Sequence, residues 1–292
     1  MNQNPNPPMR IPETDEPLDP MTNPEVDKLA QSIIDNANQS DPSQAGEAES
    51  PTLPFPNHEA LHVDLPVGMY HPMRGEAVET AEVRELNGED EEYFLRGKNL
   101  RERKARILER AVTRLGDEKP EPEVLMSMPS PDRETMLLAI SRATYGDELT
   151  LTISCPRCAE KQTPTIDLAS DIPVKKAEHI TPKVTLPSGS VVVHRWQTGK
   201  DEAAIGEWID RHPDANRGDI NTMVIASIVE SIDGVDIIGE DSARRLGLRI
   251  RSEIVDYLWE AQPGPSYTDL KHVCSSCNHE AILEVSFEDL FR

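Results

Sequence analysis

Apolar positions recur along the chain with two different spacings, and together they predict an α+β fold. Residues 130–146 carry apolar side chains at helical spacing, with Ser130-Pro131 as a start signal and Gly146 as a stop. A comparable pattern begins at Ser242 and predicts a helix that ends at Gly264-Pro265. Alternating β-formers precede and follow each of two CxxC pairs, which is typical of two strands joined by a tight turn.

The same features occur twice in the same order, which predicts an internal duplication. A Leu-Pro-x-Gly segment opens each half at 65–68 and 186–189, and an arginine, a glycine turn and an acidic helix start follow at 84–91 and 195–202. Helical sequence comes next, with 107–109 matched to 228–230, and a CxxC between β-type segments closes each half. The pattern therefore predicts two pseudo-symmetric repeats, 61–170 and 183–292, joined by 170–182.

Residues 1–60 have a different composition from the remainder. They hold 11 of the 25 prolines and 11 acidic residues against two basic ones. Such a segment buries too little apolar surface to offset its conformational entropy, so it is predicted to be a disordered acidic tail. Asn23-Pro24 is a helix start signal, and Val26, Leu29 and Ile33 share one face of a predicted short helix over 24–37. This helix is either transient or a motif that docks into a partner groove.

The formal net charge of −23 argues against general affinity for nucleic acid or anionic membranes. No apolar run is long enough to span a bilayer, and the N-terminus has neither an apolar core nor a basic leader. These features predict folding in the cytoplasm.

One basic segment contrasts with the acidic chain. Residues 96–114 carry eight Lys and Arg against two Glu, and Arg101, Arg103 and Arg106 are the candidate partner contacts among them. A solvated helix face, a fold-back site for the acidic tail and a nucleic-acid contact are the alternative interpretations. Aromatic side chains interleaved with basic ones, which many nucleic-acid sites use, are lacking here.

Four cysteines in two CxxC pairs are the strongest chemical signal. In a reducing compartment such pairs indicate metal ligands or redox thiols. A CxxC turn between strands supplies two thiolates, and two facing turns complete a tetrahedral zinc site, here predicted from Cys155, Cys158, Cys274 and Cys277. The alternatives are a redox pair, a metal-free arrangement, and separate zinc sites that use His272 and His279 beside the second pair. No catalytic motif accompanies the cysteines, so the sequence predicts a protein that is not an enzyme.

Three segments resemble a known family. The segments are DRETMLLAISRATYGDELTLTISCPRC followed by TIDL, then LPSGSVVVHRWQTGKDE, and finally CSSCNHEAILEVSFEDLFR. They are similar to the T-even-like phage baseplate hub assembly proteins. The resemblance covers about residues 60–292 and leaves out the acidic tail. It implies a structural or assembly role in the tail or baseplate of a contractile phage, a prophage or a related injection machine. Other tail or baseplate proteins are then the expected partners, in the host cytoplasm during assembly or in the finished particle. A zinc-ribbon nucleic-acid-binding or regulatory protein is the alternative.

Overall fold

In the described chain, a three-stranded and a four-stranded antiparallel sheet each have a pair of helices inserted between two of their strands, and four two-stranded sheets accompany them. The computed structural model describes residues 60–70, 75–268 and 270–291, which all belong to one unit, Pro56–Arg292. The predicted mixture of helices and strands is confirmed over these residues. The predicted tail and the helix over 24–37, with Val26, Leu29 and Ile33, lie outside the described residues.

The first part of the described chain runs from the first sheet to the first cysteine pair. Its strands are β1 (Leu61–Tyr70), β2 (Ala77–Val83), β3 (Val112–Leu115), β4 (Glu148–Thr150), β5 (Ile153–Ser154), β6 (Lys161–Gln162) and β7 (Thr165–Asp167). Its helices are α1 (Gly88–Leu95), α2 (Leu100–Ala111), α3 (Pro122–Ser127) and α4 (Ser130–Tyr145).

The second part follows a similar course to the second cysteine pair. Its strands are β8 (Val174–Lys175), β9 (Lys183–Thr185), β10 (Val191–His194), β11 (Val229–Ile232), β12 (Val235–Asp236), β13 (Gly264–Pro265), β14 (Leu270–Val273) and β15 (Glu280–Leu283). Its helices are α5 (Gly199–Arg211), α6 (Arg217–Ile228), α7 (Gly239–Arg245), α8 (Leu248–Ala261) and α9 (Phe287–Leu290).

The two larger sheets are antiparallel, and each has a bulge in the strand that follows a pair of helices. β2 lies between β1 and β3, and Glu82 and Val83 pair with Arg114 and Val112, so Thr113 is the extra residue of a bulge in β3. The second sheet has the order β12-β11-β10-β9, and Val193 and His194 pair with Ser231 and Val229, so Glu230 is the extra residue of a bulge in β11. A bulge bends and twists a strand locally, so β3 and β11 each bend opposite the end of the strand from which the chain leaves for the helices.

The helices that follow the two sheets begin with the same local chemistry. Asn87 before α1 and Thr198 before α5 each form a capping box with an aspartate three residues later, which satisfies free N–H groups at the helix start. Gly88 and Gly199 are therefore the first residues of helices, not the turn that the sequence predicted. Arg84, directly after β2, forms an ion pair with the capping residue Asp90. Arg195, directly after β10, forms the equivalent pair with Asp201.

Two other predicted details are wrong. The helix expected to run on from Ser242 is broken, because α7 ends at Arg245 and α8 begins at Leu248, with extended backbone at Leu246 and Gly247 between them. The match of 107–109 to 228–230 also fails: 107–109 lie inside α2, whereas α6 ends at Ile228 and β11 begins at the next residue. Gly264-Pro265 forms β13, which pairs with β8.

The buried apolar side chains form two clusters of unequal size. The larger one surrounds α4, of which Met136 and Ile140 are fully buried, and it also takes in Leu283, Val285 and Phe291 from the end of the chain. The smaller one lies between the second sheet and helices α6 to α8. Ser141 in α4 donates a hydrogen bond from its hydroxyl to the carbonyl of Leu290 at 2.8 Å. The C-terminal segment therefore packs into the core of the first half.

Within the described ranges, no helix has both the length and the apolar character that crossing a membrane requires.

Candidate metal centre

Two tight turns with the same hydrogen-bond pattern carry the cysteines. In the first, between β5 and β6, Cys155 donates its N–H to the carbonyl of Glu160 at 2.9 Å and accepts from the N–H of Ala159. In the second, between β14 and β15, Cys274 makes the equivalent pair with His279 and Asn278. Ala159 and Asn278 both have a left-handed backbone, with φ of 60° and 54°. Asparagine tolerates this conformation better than alanine does, so the first turn has a conformational free-energy cost at Ala159.

The two turns face each other and bring all four sulfur atoms together. The Sγ atoms of Cys155 and Cys277 are 3.7 Å apart, as are those of Cys158 and Cys274, and all four lie within 4.8 Å of one another. A disulfide would need about 2.05 Å. A tetrahedral site with metal–sulfur bonds of about 2.3 Å has sulfur–sulfur edges of about 3.8 Å. The cluster therefore has the size and the donor set of a four-thiolate metal site.

Backbone amides favour the ionised form of at least one ligand. The N–H groups of Cys158 and Arg157 are directed at the sulfur of Cys155 and lower its pKa to about 6, assisted by the side chains of Cys158 and Cys274 and opposed by burial. Hydrogen bonds to a charged group stabilise that charge. A thiolate is the form that binds metal, so the turn prepares Cys155 as a ligand.

Gln162 contacts the cysteine cluster, and the sequence pattern did not reveal it as a candidate site residue. It lies in β6 beside the first turn, yet its Nε2 donates to the sulfur of Cys274 at 3.1 Å. Its Oε1 accepts from His272 Nε2 at 2.7 Å and from the N–H of Ser275 at 3.3 Å. These two donors fix the orientation of the amide with its NH₂ group toward the sulfur. A lone glutamine in a short polar strand carries no sequence signal, because its role depends on a residue more than a hundred positions away.

The geometry bears on the alternatives for the cysteines. His272 contacts Gln162 and stands outside the four-sulfur group, so the cluster does not divide into two sites that use this histidine. Strands follow both cysteine pairs, whereas redox-active CxxC motifs usually open a helix. The free cysteines are arranged around a common centre, which favours metal binding over disulfide exchange.

The basic segment lies mainly on α2, and its candidate contacts have partners within the protein. Arg101 forms an ion pair with Asp210 at 2.9 Å. Arg103 donates to the carbonyl of Gly97 at 3.3 Å. Arg106 donates to the carbonyl of Tyr93 at 3.0 Å and lies 4.9 Å from the centre of the Tyr93 ring. A role for these three arginines in partner binding stays a prediction.

Comparison with known proteins identifies a family. A family model described as T4 bacteriophage base plate protein matches residues 71–292. This range contains both cysteine pairs and nearly all of the described chain. Neither the curated proteins nor the solved structures gave a match.

Proposed function

The chain belongs to the T4 bacteriophage base plate protein family, and from this premise we propose that it is a zinc-stabilised structural or assembly protein of a contractile tail baseplate. The family match over 71–292 is the observation that carries the proposal. A baseplate is a protein assembly, so other tail or baseplate proteins are the proposed partners. The same role suits a phage, a prophage or a related injection machine.

We propose zinc as the metal of the four-cysteine cluster. A closed set of four thiolates is a typical structural zinc site and leaves no position for water or substrate. The sulfur–sulfur distances of 3.7 Å fit such a site. Zinc binding of this kind contributes folding free energy on the order of 10 kcal/mol. The proposed metal therefore stabilises the protein and does not catalyse a reaction.

We also propose that the two halves, 61–170 and 183–292, arose by duplication. Three correspondences support this: the arginine–aspartate pair at the start of α1 and of α5, the bulge in β3 and in β11, and the turn around each cysteine pair. They occur in the same order in both halves. A pseudo-twofold relationship between the halves then accounts for how two cysteine pairs so far apart in sequence meet.

In this proposal, the metal clamps two turns that belong to different halves and gives the partners a rigid surface. The internal partners of Arg101, Arg103 and Arg106 favour the baseplate role over the nucleic-acid alternative, because paired guanidiniums are less available to phosphates. The proposed place of action is the host cytoplasm during assembly, and the particle afterwards. A structural family also favours a role without enzymatic activity.

Native mass spectrometry and tail assembly test the two parts of the proposal separately. We expect one zinc per chain; two ions, or none after purification with zinc present, would contradict the shared site. In a phage that encodes this protein, deleting the gene should give particles without complete baseplates, as seen by electron microscopy. The intact gene supplied in trans should restore them. Normal tails in the deletion strain would rule out the assembly role whatever the metal content.

A further inference from the structure

A groove between the two halves has the features of a peptide-docking site. Its volume is about 520 Å³, within the range of known ligand sites, and its walls come from the start of α4, the loop before α5, α6 and the end of α8. None of the residues that line it is a cysteine of the metal cluster. It is therefore a second feature of the molecule, separate from the metal centre.

The groove has an apolar wall that ends in an exposed tryptophan. Val255 and Leu258 of α8 are partly buried against the smaller core cluster, but Trp259 beside them is 78% exposed. Trp196 lines the groove from the loop before α5. Tryptophan is among the residues most often found as an energetic anchor in protein interfaces. An exposed tryptophan at the edge of an apolar groove indicates a surface that is covered in the assembled state.

Two hydroxyl groups at the groove have unused hydrogen-bonding capacity. Ser130 and Tyr267 both line it, and in the described part of the chain the oxygen of each is buried without a hydrogen-bond partner. Burial, together with the charge of Glu134, raises the pKa of Tyr267, so the phenol keeps its proton and remains a donor. An unsatisfied buried polar group costs about 1–3 kcal/mol. A peptide backbone would reach these oxygens only after the side chains that cover them move, so binding in the groove would include such a rearrangement.

Electrostatic charge selects the kind of partner. Its ionised lining residues in the described chain are both carboxylates, Glu134 and Glu202. Each already has one internal cation, Lys104 at 2.6 Å and Arg133 at 2.8 Å. No lysine or arginine is present among the described lining residues, and the chain as a whole carries −23. Because both carboxylates are already paired, the selectivity comes from the net negative charge of the chain, which repels acidic segments and attracts basic ones.

We propose that this groove binds a short segment of another baseplate protein, which inserts an apolar side chain beside Trp259 and carries lysine or arginine on its flanks. The proposal rests on the assembly role proposed above, because it supplies a contact through which that role is carried out. It does not depend on the identity of the metal.

The test uses the full chain and fluorescein-labelled short peptides with a central Phe or Ser and flanking Lys or Glu. Fluorescence polarisation should show binding of the Phe peptide with Lys flanks, and affinity lower by about tenfold or more for Ser at the centre or Glu at the flanks. Trp259→Ala should weaken this binding by about tenfold or more. Leu248→Ala is the matched control, because Leu248 lies on the same helix and is 83% exposed but does not line the groove.

Three results would overturn the docking proposal. The first is no binding of any peptide up to about 1 mM, which corresponds to only about 4 kcal/mol of binding free energy. The second is equal weakening by Trp259→Ala and Leu248→Ala. The third is that the wild-type protein is a dimer in analytical ultracentrifugation and the Trp259→Ala variant is a monomer. The groove would then bind a second copy of this chain. The zinc count and the tail morphology of the deletion strain are measured independently, so failure here leaves the proposed function standing.

Discussion

The sulfur atoms of Cys155 and Cys277 lie 3.7 Å apart although 122 residues separate them in the chain. The strands that carry the two cysteine turns are only two to four residues long. Short two-stranded hairpins are marginally stable by themselves. Besides the hydrogen bonds of Gln162, the proposed metal ion would supply bonds across the cluster, because all four thiolates would bind it.

Replacing one ligand should loosen both turns. Cys155→Ser is expected to raise amide hydrogen exchange in β5–β6 and also in β14–β15, because three ligands hold the metal weakly and the clamp opens. Mass-spectrometric hydrogen exchange measures this directly. Ser276→Ala changes an exposed residue of the second turn and serves as the control. Faster exchange in β5–β6 alone would mean that the two turns are independent.

Gln162 should tune the metal site without binding the metal. Gln162→Leu keeps a similar volume but removes the N–H donor to Cys274, and we expect metal affinity to fall about 10- to 100-fold, as for other residues behind metal ligands. Competition with a chelator measures the affinity, and the charge-transfer bands of the cobalt-substituted protein should shift. Gln262→Leu, at an exposed position, is the control. Unchanged affinity and spectrum in Gln162→Leu would show that this hydrogen bond is incidental.

The two arginine–aspartate pairs should differ in their contribution to stability. Asp90 is fully buried and bonded to both Arg84 and Arg110, which lower its pKa against the opposing effect of burial. Asp90→Ala leaves the mostly buried Arg84 and the 40% exposed Arg110 without this carboxylate and should cost about 3 kcal/mol of unfolding free energy, the lower end of the range for a broken buried pair.

Asp201 is a partly exposed counterpart with Arg195 as its main cationic partner, so Asp201→Ala should cost less, about 1–3 kcal/mol. Urea unfolding of the zinc-loaded protein measures both variants. Asp117→Ala, at a side chain that is 99% exposed, should leave the midpoint unchanged. Equal losses at Asp90 and Asp201 would contradict the argument from burial.

Asp132 should make stability depend on pH. Burial raises its pKa to about 7, although the N–H groups of Val67 and Gly68 donate to it and act in the opposite direction. The folded state therefore holds this proton between about pH 4 and pH 7, where the unfolded state has released it, so stability falls as pH rises through that window. At higher pH, Asp132 is ionised in both the folded and the unfolded state, and its contribution to the unfolding free energy is lost completely.

Asp132→Asn removes this dependence. Between pH 5 and pH 8 we expect the unfolding free energy of the variant to gain about 3 kcal/mol relative to wild type, because wild type loses about 1.4 kcal/mol for each of the roughly two pH units between pH 5 and the folded pKa of about 7. Subtracting the unfolding free energy of wild type from that of the variant at each pH removes the effect of metal release, because metal release changes the stability of both proteins. Asp117→Asn should show no such trend. A constant difference between Asp132→Asn and wild type over this range would mean that Asp132 is ionised throughout.

Local signals in the sequence were sufficient for several elements. Ser130-Pro131 and Gly146 predicted α4 to within a residue, since start and stop signals act on their own neighbours. The break between α7 and α8 was not predicted. Leu246 and Gly247 have extended backbone angles that end the helix, but the apolar side chains on either side keep their helical spacing. The mismatch of 107–109 with 228–230 arose because the preceding helices differ in length, with 8 residues in α1 and 13 in α5, although α2 and α6 each have 12.

The sequence by itself determined which residues are ligand candidates, because thiolate chemistry and CxxC spacing are local properties of the chain. It also carried the resemblance to the baseplate family that the match over 71–292 confirms. Only the tertiary structure decided that the four sulfurs meet, that Gln162 contacts Cys274, and that Trp259 remains exposed beside a groove. Each of these depends on contacts between residues far apart in the chain. Packing sets such contacts, and no local pattern encodes them.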